Sequence, residues 1–217
     1  MRGSLTITAG AVVGAHLAGC GDPGVTGPSS SGTVTTPERN TGVPQNALLA
    51  YFSRAGENYH YGGRIDLEIG NTQVLAQMIA AAGGAVDVYR IEAAEPYPQS
   101  YEETVERNRQ EQRSEARPAI AGVLPTIEQY DTVLLGSPLW NVRPPMIMRT
   151  FVDSVNLRGR VIHPFVTYAV SGIGGTIDDY TRLCPESVIG EGLAVRGEEV
   201  RMAGPDVTAW LQRAGFG

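Results

Sequence analysis

Val133-Leu134-Leu135, held between Thr132 and Gly136, is an unbroken apolar run of strand length, and it constrains the chain more than any other segment. A strand that is apolar on both faces needs cover on both faces, which is the situation of a central strand in a parallel sheet flanked by helices. The rest of the chain supplies such a setting. Ala47 to Phe52 reads as a first strand, Ala85 to Ile91 as a second and Thr132 to Gly136 as the third, with Val161 to Val170 and Val188 to Val195 as the remaining two. Between them, Val74, Leu75, Met78, Ile79 and Ala82 fall at helical spacing, behind a cap at Asn71 or Thr72 and ahead of Gly83-Gly84. Tyr101 to Glu115 alternates charges of opposite sign (Glu102, Glu103, Glu106, Arg107, Arg109, Glu111, Arg113) and reads as a solvated helix. Pro144-Pro145 opens a further helix with a stripe of Ile147, Met148, Phe151, Val152 and Val155, and Asp206 to Ala214 forms a last one around Trp210. Strands alternating with helices predict an α/β fold.

The first 45 residues read differently. Leu5 to Ala18 is apolar or small, short for a membrane span, and runs into Leu17-Ala18-Gly19-Cys20. This resembles a bacterial lipoprotein signal. The resemblance implies a signal peptide over residues 1–19, cleavage before a lipidated Cys20, a flexible tether over residues 20–45 rich in Gly, Pro, Ser and Thr, and a folded domain over residues 46–217. It also implies an extracytoplasmic protein held to the cell membrane by its lipid. With Cys20 acylated only Cys184 remains, which excludes an intramolecular disulfide and leaves Cys184 as a small buried residue. All 17 basic residues are arginine and the net charge is −6, so no lysine-rich stripe exists to follow a phosphate backbone, and nucleic acid is not an expected partner.

Three segments that follow strands carry the chemistry. The first strand ends in Ser53-Arg54-Ala55-Gly56, a polar turn where a phosphate could sit; the third ends in Ser137-Pro138-Leu139-Trp140-Asn141, a proline-braced loop with an indole that can clamp a flat ring. After the fourth comes Ser171-Gly172-Ile173-Gly174-Gly175-Thr176. These three loops, in this order, resemble the flavodoxin-like family that binds FMN. The resemblance implies a doubly wound five-stranded parallel sheet of order 2-1-3-4-5, with helices on both faces and the site beyond the carboxyl ends of the strands. Ser53, Arg54, Ala55, Asn71 and Thr72 would hold the phosphate, through hydroxyls, amides and a helix N-terminus. Trp140, with Pro138 and Leu139, would stack on the isoalloxazine, and Asn141 would bring a carbonyl toward its N5. Ser171, Gly172, Gly174 and Gly175 would reach the pyrimidine edge. The family's compact phosphate loop, Ser/Thr-x-Thr-Gly-Asn-Thr, is altered here: Ala55 replaces the middle hydroxyl, and fourteen residues separate Gly56 from Asn71-Thr72. That insertion reads as a loop bulging from the site, and its Asn58 competes for the role of Asn71.

Other chemistries find no support. His60 and His163 are the two histidines beyond the leader, neither at metal-ligand spacing, and no Gly-x-Ser-x-Gly elbow exists. His163 reads as structural and His60 as a surface loop residue that could line the site. No residue is assigned a catalytic or metal-binding role. The expected function is FMN-dependent electron transfer at the membrane surface, with a redox partner protein or a small quinone-like acceptor. The alternatives are an FMN-dependent NAD(P)H:quinone-type oxidoreductase and a cofactor-free interaction module on the same fold.

Overall fold

The computed structural model describes residues 46–216; Cys20, the leader and the tether lie outside them. The first strand, β1 (Ala47–Phe52), is buried along its whole length. It pairs in parallel with β4 (Val86–Ile91) on one side and β5 (Thr132–Pro138) on the other. β6 (Val161–Tyr168) continues the sheet beside β5, and the far edge is made by two short pieces, β7 (Val188–Ile189) and β8 (Leu193–Arg196), both parallel to β6. The order β4-β1-β5-β6 followed by this split edge is the doubly wound order expected from the sequence.

Alternation along β1 divides the core. Leu49 and Tyr51 face α1 (Asn71–Ala82) and α5 (Gly204–Arg213), packing with Leu75, Ile79, Trp210 and Leu211. Leu48, Ala50 and Phe52 face the other way, into a cluster with Ile147, Met148 and Phe151 of α3 (Met146–Ser154) and Tyr180 of α4 (Thr176–Leu183). Gly136 lies under the Phe165 ring, which a Cβ would meet at 2.0 Å, so the central strand needs glycine at this point.

Four local expectations are corrected. The expected strand over Val188 to Val195 breaks at Gly190-Glu191-Gly192, where the chain passes so close to the His163 ring that a Cβ on Gly190 would stand 2.4 Å from it. The break turns the Glu191 carbonyl toward the Trp210 indole, which donates to it at 2.9 Å. The insertion after Gly56 is not a plain loop: β2 (Gly56–His60) and β3 (Gly63–Leu67) form an antiparallel hairpin, turned at Tyr61-Gly62 with φ of 43° and 88°. Neither Asn71 nor Thr72 caps α1. The cap position is Gly70, and Ser53 takes over the capping bond by accepting from the Gln73 amide at 3.0 Å. Finally, α2 (Tyr101–Arg113) is not solvated all round, since Thr104, Asn108 and Glu111 are buried. Helix α4 and a 3-10 helix over Gly197–Met202 were not foreseen.

Candidate functional site

A cavity of about 290 Å³ opens at the carboxyl end of the sheet, where the order reverses between β1 and β5. Reversal sends the connections after these two strands to opposite faces, which leaves a crevice between them. From β1 come Ser53 and Arg54, and from the start of α1 come Asn71 and Thr72. Past β5 the wall is Pro138, Leu139, Trp140 and Asn141, and past β6 it is Thr167, Tyr168 and Ala169.

The α1 end of this cavity is suited to an anion. Its first amides, those of Asn71 and Thr72, have no acceptor among the described residues, as the geometry of a helix start dictates. No acidic residue occupies the first turn of α1, whereas α2 has Glu102 and Glu103 there and α4 has Asp178 and Asp179. The positive end of the α1 dipole is therefore left uncompensated by carboxylates of its own. Thr72 and Thr167 are both buried and share a 2.7 Å hydroxyl contact, which ties the start of α1 to the end of β6. Arg54 does not point freely at this end. It is half-buried and donates to the carbonyls of Pro98, Gln99 and Glu57, so it binds the turn after β1 to the segment before α2. Burial holds its guanidinium pKa below the usual arginine value.

The opposite wall is aromatic. Trp140 meets Phe52 and Tyr97 edge-on, with ring centroids 5.6 and 4.9 Å away. Tyr97 is fixed in turn: its hydroxyl donates to Glu111 at 2.9 Å and the Arg107 guanidinium lies 4.0 Å from its ring centre. Arg107 also donates to Glu111 at 2.8 Å. Burial and the adjacent Glu111 carboxylate push the Tyr97 hydroxyl pKa far up, so it stays protonated. The turn beyond Trp140 has two residues with positive φ, Asn141 at 54° and Val142 at 61°, closed by the Trp140 amide donating to Arg143 O at 2.9 Å. Gln112 of α2 braces it, donating to the Trp140 carbonyl at 3.2 Å and accepting from the Asn141 amide group at 2.9 Å.

The glycine-rich segment is placed differently from its neighbours. Ser171, Gly172, Gly174 and Gly175 do not line the cavity, and neither does Ala55. Gly175 donates to Val142 O at 2.9 Å, and a Cβ on Gly174 would meet the same oxygen at 2.4 Å. These glycines let the segment press against the back of the Trp140 turn. Eight of the thirteen expected contact residues line the cavity: Ser53, Arg54, Asn71, Thr72, Pro138, Leu139, Trp140 and Asn141.

Apart from Asn58, sequence reasoning missed the remaining wall. The hairpin contributes Asn58 and Tyr59, helix α2 contributes Tyr101, Thr104, Val105, Asn108 and Arg109, and the 3-10 helix contributes Gly197 and Glu198. The hairpin is fixed at both ends: Glu57 donates through its amide to Gln99 O at 2.9 Å, and the Tyr61 amide reaches Glu198 at 2.9 Å. The buried inner positions of α2, spaced at 104, 108 and 111, were the available signal, but the charges around them masked it. His60 does not line the cavity and packs on Tyr61. Cys184 is buried and its thiol is pushed up to about 11. Among the described residues no group of His, Cys, Asp or Glu could hold a metal ion, and no helix is long and apolar enough to cross a membrane.

An α/β sheet with a crevice at its switch point, an anion-ready helix start and an aromatic wall defines a protein of flavodoxin architecture. The sequence profile of the flavodoxin family matches residues 67–214, and the chain belongs to that family. A candidate flavoprotein from Bacteroides uniformis is similar in structure, with a TM-score of 0.61 and 25% identity over 77% of this chain and 97% of that one. A candidate flavoprotein from Bacteroides eggerthii has a TM-score of 0.57 and 29% identity, covering 76% of this chain and 98% of its own. A Lactobacillus acidophilus flavoprotein, solved in complex with FMN, shares the fold with a TM-score of 0.55 at 18% identity, over 72% and 97% of the two chains. Comparison with curated protein sequences gives no match.

Proposed function

We propose that the chain binds FMN in this cavity and uses it to transfer electrons. The observation that carries the reading is the pairing, within one cavity, of unopposed amides at the start of α1 with the Trp140 wall across the switch point. The two ends match a molecule with a phosphate at one end and a flat apolar ring at the other. FMN is such a molecule, and the L. acidophilus protein of the same fold was solved with it. Ser53, Asn71 and Thr72 would hold the phosphate, and Trp140, Pro138, Leu139 and Asn141 the ring. Arg54 would act by holding the loop, and Gly174 and Gly175 by supporting the Trp140 turn. When bound, FMN supplies the redox chemistry, and the protein's part is to orient the ring and exclude water from it.

The lipoprotein-type leader extends the proposal to place: Cys20 carries a lipid that holds the domain on the outer side of the membrane, where a partner protein or quinone-like acceptor exchanges electrons with it. A second reading, an FMN-dependent NAD(P)H:quinone-type oxidoreductase, is favoured by the hairpin and α2, because they add Tyr59, Tyr101 and Arg109 to the cavity beyond the cofactor loops. The two separate in one assay. Rapid NADH oxidation in the presence of a soluble quinone selects the reductase, and a protein reduced only by dithionite selects the carrier. Trp140→Ala tests the site itself and should weaken FMN binding by about 1 to 3 kcal/mol, the range for aromatic stacking on a base. An unchanged dissociation constant would remove Trp140 from the site.

A further inference from the structure

Helix α2 turns Thr104, Asn108, Glu111 and Gln112 inward, and three of the four have protein partners. The Thr104 hydroxyl is shared between Ser100 O at 2.8 Å and Pro98 O at 3.0 Å. Glu111 holds Tyr97 and Arg107, and Gln112 spans Trp140 and Asn141. Asn108 is the exception. It is 3% exposed, its carboxamide makes no hydrogen bond among the described residues, and its Oδ1 is sealed from solvent on the cavity wall.

A buried amide without partners costs stability that a leucine of similar volume would not. Two other side chains of the wall carry an unpartnered buried atom, Arg54 at Nε and Glu198 at Oε2. Both are otherwise engaged, Arg54 with three carbonyls and Glu198 with the Tyr61 amide. Asn108 alone is wholly uncommitted among these three, and it lies one helical turn before Gln112, on the face of α2 that holds the Trp140 turn.

A carboxamide presents a donor and an acceptor side by side, so its complement is a group with N–H next to C=O. We propose that Asn108 is a ligand-recognition residue whose uncommitted carboxamide turns from this buried orientation to pair with such an amide edge on the flat ring entering the cavity. Two redox molecules carry that edge: the flavin, on its pyrimidine ring, and a nicotinamide, as its carboxamide. The proposal rests on the FMN reading and adds a polar anchor to it. The glycine segment Ser171 to Gly175 leaves the need for one, because it lies against the Trp140 turn and off the cavity wall.

Asn108→Leu in the full-length protein tests this. The ligand-free variant should unfold at the same temperature as the unsubstituted protein or higher, since it loses an unsatisfied polar group. Its dissociation constants for FMN and for riboflavin should both rise about tenfold or more if the partner is the pyrimidine edge. If the partner is the nicotinamide, flavin binding stays unchanged and NADH binding, followed by its own fluorescence, weakens by that factor. Asn108→Asp, which keeps the shape and removes the donor, should weaken the same ligand. Unchanged binding of both ligands, with stability raised, would overturn the proposal. Absence of flavin binding by the unsubstituted protein would instead overturn the FMN reading, leaving the NADH titration to decide Asn108; failure of both ligands to bind would overturn both.

Discussion

Val142 sits at φ 61°, a region where a β-branched side chain crowds its own backbone, and it is 54% exposed. Packing onto other side chains does not account for it. The turn needs two positive-φ residues, Asn141 supplies one at low cost, and the Val142 carbonyl is held by Gly175. Val142→Gly should therefore stabilise the fold by about 1 kcal/mol, the order of the left-handed penalty for a branched residue. A urea midpoint that stays the same or falls would contradict a strained turn. His163 makes a different kind of prediction. It is buried beside Trp210, and burial lowers its pKa below the ordinary 6.5, so the folded state binds a proton less readily than the unfolded chain. Its contribution to stability is complete above about pH 6.5 and is lost as the pH falls below that value toward the folded pKa. His163→Gln should flatten that part of the stability profile, measured as urea midpoints at about pH 5.5 and pH 7.5. An unchanged slope would assign the acid sensitivity to other groups.

At the scale of elements, α2 has the most to explain. Its charges suggested a helix in water, yet Glu111 is 7% exposed and ties Tyr97 and Arg107 together beneath Trp140. Glu111→Ala should cost about 2 to 3 kcal/mol, because it removes charge-assisted hydrogen bonds from a buried site. It should also change the near-ultraviolet signal of Trp140, which rests on Tyr97. A loss below about 0.5 kcal/mol, the size of an exposed helical pair, would return α2 to the role of a solvated helix. The helix was legible in the sequence and its inner face was not, since opposite charges at helical spacing look the same whether they face water or one another. The hairpin was hidden for a related reason. Its strands pair with each other rather than with the main sheet, and most of their residues are polar or half-exposed, so no apolar run announced them.

For the molecule as a whole, the legible part was whatever burial dictates. β1 and β5 are apolar on both faces because helices cover both, and that pattern was enough for the α/β class, while the order of the sheet followed from the resemblance carried by the three loops. The residues that end these strands were legible as well, since Ser53 and the Pro138 to Asn141 loop fall where the sheet order reverses. Less legible were the parts supplied by elements distant in sequence. Thr167 and Tyr168 reach the cavity from the last two residues of β6 and Glu198 from beyond β8, and no local pattern marks a side chain that becomes relevant only when the sheet assembles. The glycine segment is the converse, a conspicuous local motif whose Gly174 and Gly175 pack against the Val142 carbonyl of a neighbouring loop. The measurement that tests the account most directly is a titration of the purified protein with FMN, followed by quenching of flavin fluorescence, with riboflavin as the form lacking phosphate. Saturable quenching by FMN, with riboflavin bound at least about tenfold more weakly, is the predicted result, a factor that corresponds to about 1.4 kcal/mol from the phosphate. Failure of both flavins to bind, or equal binding of the two, would contradict a site that joins the start of α1 to the Trp140 wall.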